Sequence, residues 1–337
     1  MHKPLASVAL AATAVLMLAG CSSSPAAEST GDAITVVAST NVYGSLAAEI
    51  GGDRVQVTSI IDNASQDPHS YEASARDRLA VQKADLVIEN GGGYDSFIDT
   101  LLEGAKDPAV VTAVEYSHDF PGNEGHEADA DAEGEAHDHA EDEHAEEDHA
   151  HDHGDGEGHD HIEGFNEHVW FDAHTMIHVV EAIAAELAEI DPDGKTDFEA
   201  SAAEITGELE GFEADLETLK SEAAGAKVFI TEPLPGYLAE AAGLTDATPE
   251  GFAESVEEGT DVAPATLLAA LDVIGSGDVR AVLSNAQTGG AETQRVEDAA
   301  KAAGIPVVAF TELLEDGSSY AEWMRDGIKS LADAVTS

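Results

Sequence analysis

Residues 198–224 read FEASAAEITGELEGFEADLETLKSEAA. Ile205, Leu209, Phe212, Leu216 and Leu219 recur at three- and four-residue steps, no proline interrupts them, and Gly207 and Gly211 weaken the pattern only slightly. The spacing predicts one amphipathic helix of about 27 residues, ~40 Å long at 1.5 Å per residue. On its N-terminal side, Ile34–Ser39, Val55–Ile61, Leu86–Asn90 and Val110–Glu115 read as strands, with a helix near Val42–Ile50 and another over Thr175–Ile190. On its C-terminal side, Val228–Thr231, Ala281–Ser284 and Val307–Phe310 read as strands, and Pro264–Ile274, Ala291–Ala303 and Ser319–Val335 as helices. Alternating strands and helices in both blocks argue for parallel sheets. The expected fold class is α/β: two lobes with parallel β-sheets flanked by helices, joined by a long α-helix. The expected boundaries are 33–195 for the N-terminal lobe, 196–224 for the linking helix and 225–337 for the C-terminal lobe.

The chain opens with His2 and Lys3, a mostly apolar run from Leu5 to Ala19, and then Leu18-Ala19-Gly20-Cys21. The run is too short to span a bilayer and has the length of a secretory signal. Residues 1–20 therefore read as a signal peptide and 21–32 as a tether rich in Ser, Ala and Pro. Cys21 is the only cysteine, which excludes an intrachain disulfide and a multi-thiolate metal site. Leu-Ala-Gly-Cys resembles the lipobox of bacterial lipoproteins, which implies lipidation at Cys21 and an extracytoplasmic protein held on the outer face of the cell membrane.

Of 337 residues, 69 are acidic and 14 basic, a formal net charge of -55. Nucleic acid is excluded as a partner, because phosphate binding needs a basic footprint. Residues 124–163 alone hold 18 acids and nine histidines; removing those 18 leaves 51 acids against 14 bases, so the folded remainder is acidic in its own right. The 117–164 segment is too polar for a core and has no periodicity, so it is expected to be a disordered loop. Its His137, His139, His144, His149, His151, His153, His159 and His161 stand among carboxylates, a composition suited to weak, exchangeable zinc binding. Read alone, the same segment is also compatible with a solvated spacer.

Ligands of open α/β sheets sit beyond the carboxyl ends of strands. There the sequence places Asp67-Pro68-His69, Glu232 after the Val228–Thr231 strand, Glu312 after the Val307–Phe310 strand, and His168 where the chain re-enters the fold. Two imidazoles and two carboxylates suit a borderline divalent cation such as Zn2+, and carboxylate also suits Mn2+. His174 and His178, four apart on a helix, could chelate or simply face solvent. Gly91-Gly92-Gly93 reads as a tight strand-to-helix turn. Gly194-Lys195-Thr196 lacks the earlier glycine of a phosphate-binding loop, and neither a His-Glu-x-x-His nor a Gly-x-Ser-x-Gly motif occurs.

Several stretches together resemble the metal-binding subunits of bacterial ABC importers for zinc and manganese. In the first half they are Gln66-Asp67-Pro68-His69-Ser70-Tyr71-Glu72, Ala84-Asp85-Leu86-Val87-Ile88-Glu89-Asn90-Gly91 and Glu167-His168-Val169-Trp170-Phe171-Asp172. In the second they are Thr231-Glu232-Pro233 with Gly236-Tyr237, Ser284-Asn285-Ala286-Gln287-Thr288, and Thr311-Glu312 with Tyr320-Ala321-Glu322-Trp323-Met324. The resemblance runs from about residue 33 to the end. It implies two lobes on a rigid helix and a receptor, not an enzyme, that hands a metal ion to a membrane permease with a separate ATPase subunit. It also implies His69, His168, Glu232 and Glu312 as ligands. Zinc members usually carry histidine at the position of Glu232 and manganese members a carboxylate; at the position of Glu312 Asp is commoner. The His-rich segment and the Irving–Williams order favour zinc, with manganese the alternative. A secreted zinc hydrolase, with one carboxylate as general base, and a metal-buffering or adhesin lipoprotein are the competing classes.

Overall fold

Ile34–Thr40 forms β1, buried at six of its seven residues, as a strand covered on both faces must be. α1 (Asn41–Gly51) returns the chain to β2 (Val55–Ile61), which pairs parallel to β1 with Val36 opposite Val57. α2 (Ala75–Val81), begun by a Ser74–Asp77 capping box, leads to β3 (Leu86–Glu89) on the other side of β1; α3 (Phe97–Leu102) leads to β4 (Ala109–Thr112). The sheet order is β2-β1-β3-β4, all parallel.

The computed structural model describes residues 33–63, 66–123, 162, 164–315 and 317–337. The expected signal peptide, Cys21, the tether and the eight histidines singled out in the acidic segment lie outside the described residues. Ser117–Asn123, at the near edge of the expected loop, is ordered: the Asn123 side chain donates to the carbonyls of Glu115 and Ser117, at 2.7 and 2.9 Å. The strand expected over Val110–Glu115 ends at Thr112, and Ala113–Tyr116 is a 3-10 turn. Thr112 pairs with Glu89, the last residue of β3. Beyond it no ladder partner remains, and Val114 N–H donates instead to the Asn90 carbonyl at 2.9 Å.

α4 (Ala173–Ile190) and α5 (Lys195–Ala223) then pack side by side. α5 is the long helix, 29 residues, burying Phe198, Ala202, Ile205, Leu209, Phe212, Leu216, Leu219 and Ala223 along one stripe. The second sheet repeats the first. β5 (Lys227–Ile230), α6 (Gly236–Ala241), β6 (Thr245–Asp246), α7 (Ala253–Glu257), α8 (Pro264–Gly275), β7 (Val279–Asn285), α9 (Ala291–Ala303), β8 (Val307–Phe310) and α10 (Tyr320–Val335) follow in order. Its strand order is β6-β5-β7-β8, again parallel. The architecture is therefore two parallel four-stranded sheets flanked by helices, with a long helix between. One core runs from Ile34 and Leu86 through α4 and α5 to Leu283 and Phe310. In each sheet the third strand crosses to the far side of the first, which opens a crevice at the carboxyl ends of β1/β3 and of β5/β7.

Candidate metal centre

His69 leaves β2 on a turn that Asp67 ties. The Asp67 carboxylate accepts the His69 backbone N–H at 3.0 Å and the Ser70 hydroxyl at 2.8 Å. The His69 ring stands edge-on to Tyr94, centroids 4.9 Å apart, and 6.2 Å from the His168 ring. Tyr94 is delivered by the Gly91-Gly92-Gly93 turn, where all three residues have φ between 68° and 97°. A Cβ on Gly91 would stand 2.6 Å from the Thr112 side chain, so both conformation and space demand glycine there. Asp95 holds the turn by accepting the N–H groups of Asn90 and Gly91.

His168 is positioned by its neighbours. Asp172 caps α4 through the N–H groups of His174 and Thr175, and Trp170 and Phe171 anchor the approach in the core. Asn90 Nδ2 donates to the Glu167 carbonyl at 2.9 Å. Asn166 Nδ2 donates to the Pro233 carbonyl, which leaves Asn166 Oδ1 to accept both the His168 N–H at 3.1 Å and its ring Nδ1 at 2.7 Å. Nδ1 is then the donor, and Nε2 carries the lone pair. Nε2 lies 3.7 Å from Glu257 Oε1.

The second sheet supplies a clamp. Asn285, the last residue of β7, donates from Nδ2 to Glu232 Oε2 at 2.8 Å and to Glu312 Oε1 at 2.7 Å. The Thr288 hydroxyl donates to the Glu232 carboxylate at 2.6 Å, and Tyr94 donates to Glu312 Oε2 at 3.1 Å. Gln287 Oε1 accepts the N–H groups of Glu312 and Leu313, fixing the loop after β8. Tyr94 thus joins His69 in the first half to Glu312 in the second. The Tyr320 hydroxyl, donating to the Trp170 carbonyl at 2.7 Å, and the Trp323 ring, stacked on Phe171 at 4.7 Å, close the same seam.

Burial raises the carboxyls of the site. Desolvation pushes Glu232 up against the bonds from Thr288 and Asn285, and pushes Glu312 up to about 7 despite the Asn285 bond. Glu257 rises to about 9, through desolvation first and then repulsion from Glu167, Glu232 and Glu312. Among the described residues, one group of three or more His, Cys, Asp or Glu has ligand atoms all within 4.8 Å of each other: His69, His168 and Glu257. The structure therefore brings His69, His168, Glu232 and Glu312 to one crevice and adds Glu257, which the sequence did not single out. His174 and His178 lie away from it on α4, half-exposed, with His174 Nδ1 3.3 Å from Glu213 and His178 Nδ1 3.5 Å from Glu181.

Two parallel sheets across a long helix, with imidazoles and carboxylates facing one another at their carboxyl ends, define a two-lobed binding protein. Residues 36–334 match the family model described as zinc-uptake complex component A, periplasmic (ZnuA), and the chain belongs to that family. It is 26% identical over 272 residues to the manganese-binding lipoprotein MntA of Halalkalibacterium halodurans, covering 79% of this chain and 76% of that one. It is 27% identical over 255 residues to the zinc-binding lipoprotein AdcA of Streptococcus pneumoniae, covering 74% and 45%. The fold matches the periplasmic zinc-binding protein TroA of Treponema pallidum with a TM-score of 0.68 at 15% identity, covering 91% of this chain and all of that one.

Proposed function

We propose that the protein is the extracytoplasmic receptor of an ABC importer, capturing one divalent metal ion in the crevice and delivering it to a membrane permease served by a separate ATPase subunit. One observation carries the reading. Two imidazoles converge with buried Glu232 and Glu312 and the partly buried Glu257, and among the described residues no Lys or Arg forms an ion pair with any of the three. Burying a carboxylate without a cation costs several kcal/mol, and a divalent ion supplies the missing charge. In this reading His69, His168, Glu232 and Glu312 bind the ion, while Asn285, Thr288 and Tyr94 aim the carboxylates. Capture, and not catalysis, is what such a protein-saturated site serves.

The ion is zinc. Two imidazoles suit it, the family description names zinc, and His137, His139, His144, His149, His151, His153, His159 and His161 have the composition of a weak auxiliary zinc store. A manganese receptor is the second reading, favoured by the carboxylate-rich half of the crevice and by the manganese-binding relative. Leu18–Cys21 and the lipoprotein names of the relatives support a lipid anchor at Cys21; among the described residues no helix is long and apolar enough to cross a membrane.

Calorimetric titration with zinc and with manganese tests both readings. The wild type is expected to show one tight site, filled by zinc in competition with manganese. His69→Ala and His168→Ala are expected to weaken that site about 100-fold or more while the weak zinc sites persist. Wild-type tight binding in both variants would end the receptor reading, and preferential retention of manganese would select the second.

A further inference from the structure

We infer that Glu257 is itself a ligand of the captured ion, additional to His69, His168, Glu232 and Glu312. The inference rests on the receptor reading above and extends its ligand set. Glu257 is the last residue of α7, a five-residue helix entered through Gly251 and left through Gly259, both with positive φ. Phe252 pins this segment, fully buried and edge-on to Phe229 at 5.2 Å. α7 buries none of its five residues fully, so its packing does not account for where Glu257 points.

The carboxylates of the crevice differ in what their oxygens already do. Glu232 and Glu312 have both oxygens engaged by donors from Asn285, Thr288 and Tyr94. Glu257 Oε1 is buried and accepts no hydrogen bond among the described residues. It faces His168 Nε2 at 3.7 Å, beyond hydrogen-bond distance. Two neighbouring donor atoms in a five-coordinate zinc shell, each ~2.0–2.1 Å from the ion, stand ~2.9–3.6 Å apart. The observed 3.7 Å falls just above that spacing, and the ligand atoms of the whole His69–His168–Glu257 trio lie within 4.8 Å of one another. An inward movement of these side chains would bring the three donors to bonding distance. The trio also draws on both halves of the molecule.

Full-length Glu257→Gln, loaded with one equivalent of Co2+, tests the assignment. The amide keeps the size of the side chain and removes a buried acid, so folding is retained; the thermal melt without metal checks this. Loss of a carboxylate ligand is expected to change the position or intensity of the cobalt visible bands and to weaken zinc about 10-fold or more in chelator competition. A changed cobalt spectrum supports the assignment, because the coordination has changed. A spectrum identical to wild type overturns it, even where zinc weakens, since Glu257 would then act through its charge alone. His69→Ala run beside it separates the failures: tight zinc binding retained there defeats the receptor site itself, whatever Glu257→Gln does.

Discussion

Glu89 shows how this chain places acids where water cannot reach them. It ends β3 with 8% of its surface exposed, and desolvation raises its carboxyl to about 7, with repulsion from Asp95 adding and the Thr112 hydroxyl bond opposing. The folded-state value lies above that of the unfolded chain, near 4.5. The group's favourable contribution is therefore complete below about pH 4.5 and is lost as pH rises through 7, about 3 kcal/mol by pH 8. Glu89→Gln keeps an oxygen for the Thr112 hydroxyl, which donates to Glu89 Oε1 at 2.8 Å. Urea unfolding should find this variant more stable than wild type at pH 8, by up to about 3 kcal/mol, and indistinguishable at pH 4. Equal stability at pH 8 would mean that Glu89 is hydrated when ionised. Glu257 is a second acid with its carboxyl withdrawn from water, raised to about 9 by desolvation first, and nothing in the sequence marked it. It stands in Glu254-Ser255-Val256-Glu257-Glu258, where one acid among 69 has no distinguishing neighbour. His69 and His168 were legible because each sits in a motif whose other residues build the local turn: Asp67 for the first, Trp170, Phe171 and Asp172 for the second.

At the scale of elements, hydrophobic period and length decided what could be read. Seven strands and the long helices carry buried runs or three- and four-residue steps, and all are present with ends shifted by a few residues. β6, the eighth strand, is Thr245–Asp246, both exposed, and no apolar pattern announces it. α2, α3, α6 and α7 are five to seven residues long, too short to show a helical period. Of these only α2 has a formed capping box, Ser74–Asp77. α5 was the most legible element, and it carries its own test. Gly207 and Gly211 are both exposed, and a Cβ at either would meet nothing within 4 Å. Glycine inside a helix loosens the unfolded chain without a return in packing. Gly207→Ala and Gly211→Ala should each stabilise the protein by about 0.5–1 kcal/mol, with zinc affinity unchanged, in urea unfolding. A loss of stability in either would show that α5 needs the freedom of glycine at a face that is otherwise open.

For the whole molecule the governing quantity is the net charge of -55. Among the described residues half of the chain's 14 basic groups form ion pairs, among them Arg54 with Asp191 and Asp197, Lys227 with Asp278, Lys301 with Glu297 and Arg325 with Glu208. Such exposed pairs contribute ~0–1 kcal/mol each, and most acids have no basic counterpart to pair with. Their crowding is visible where α1 meets α5: Glu49 is raised by desolvation and then by repulsion from Glu208 and Glu204. A divalent ion captured in the crevice as proposed would relieve the interior acids, but the surface acids can be relieved only by dissolved salt. The Debye length shrinks from ~30 Å at 0.01 M to ~3 Å at 1 M. Screening weakens attraction and repulsion alike, and with 69 acids against 14 bases repulsion is the larger loss. The metal-free protein should therefore melt at higher temperature as sodium chloride rises from 0.05 to 1 M, by about 3 °C or more. Repeating the melts with tetramethylammonium chloride, whose cation coordinates carboxylates poorly, separates general screening from sodium binding in the crevice. A rise with both salts is the expected result. A melting temperature that falls with salt would show that the surface ion pairs outweigh the repulsion among the acids around them.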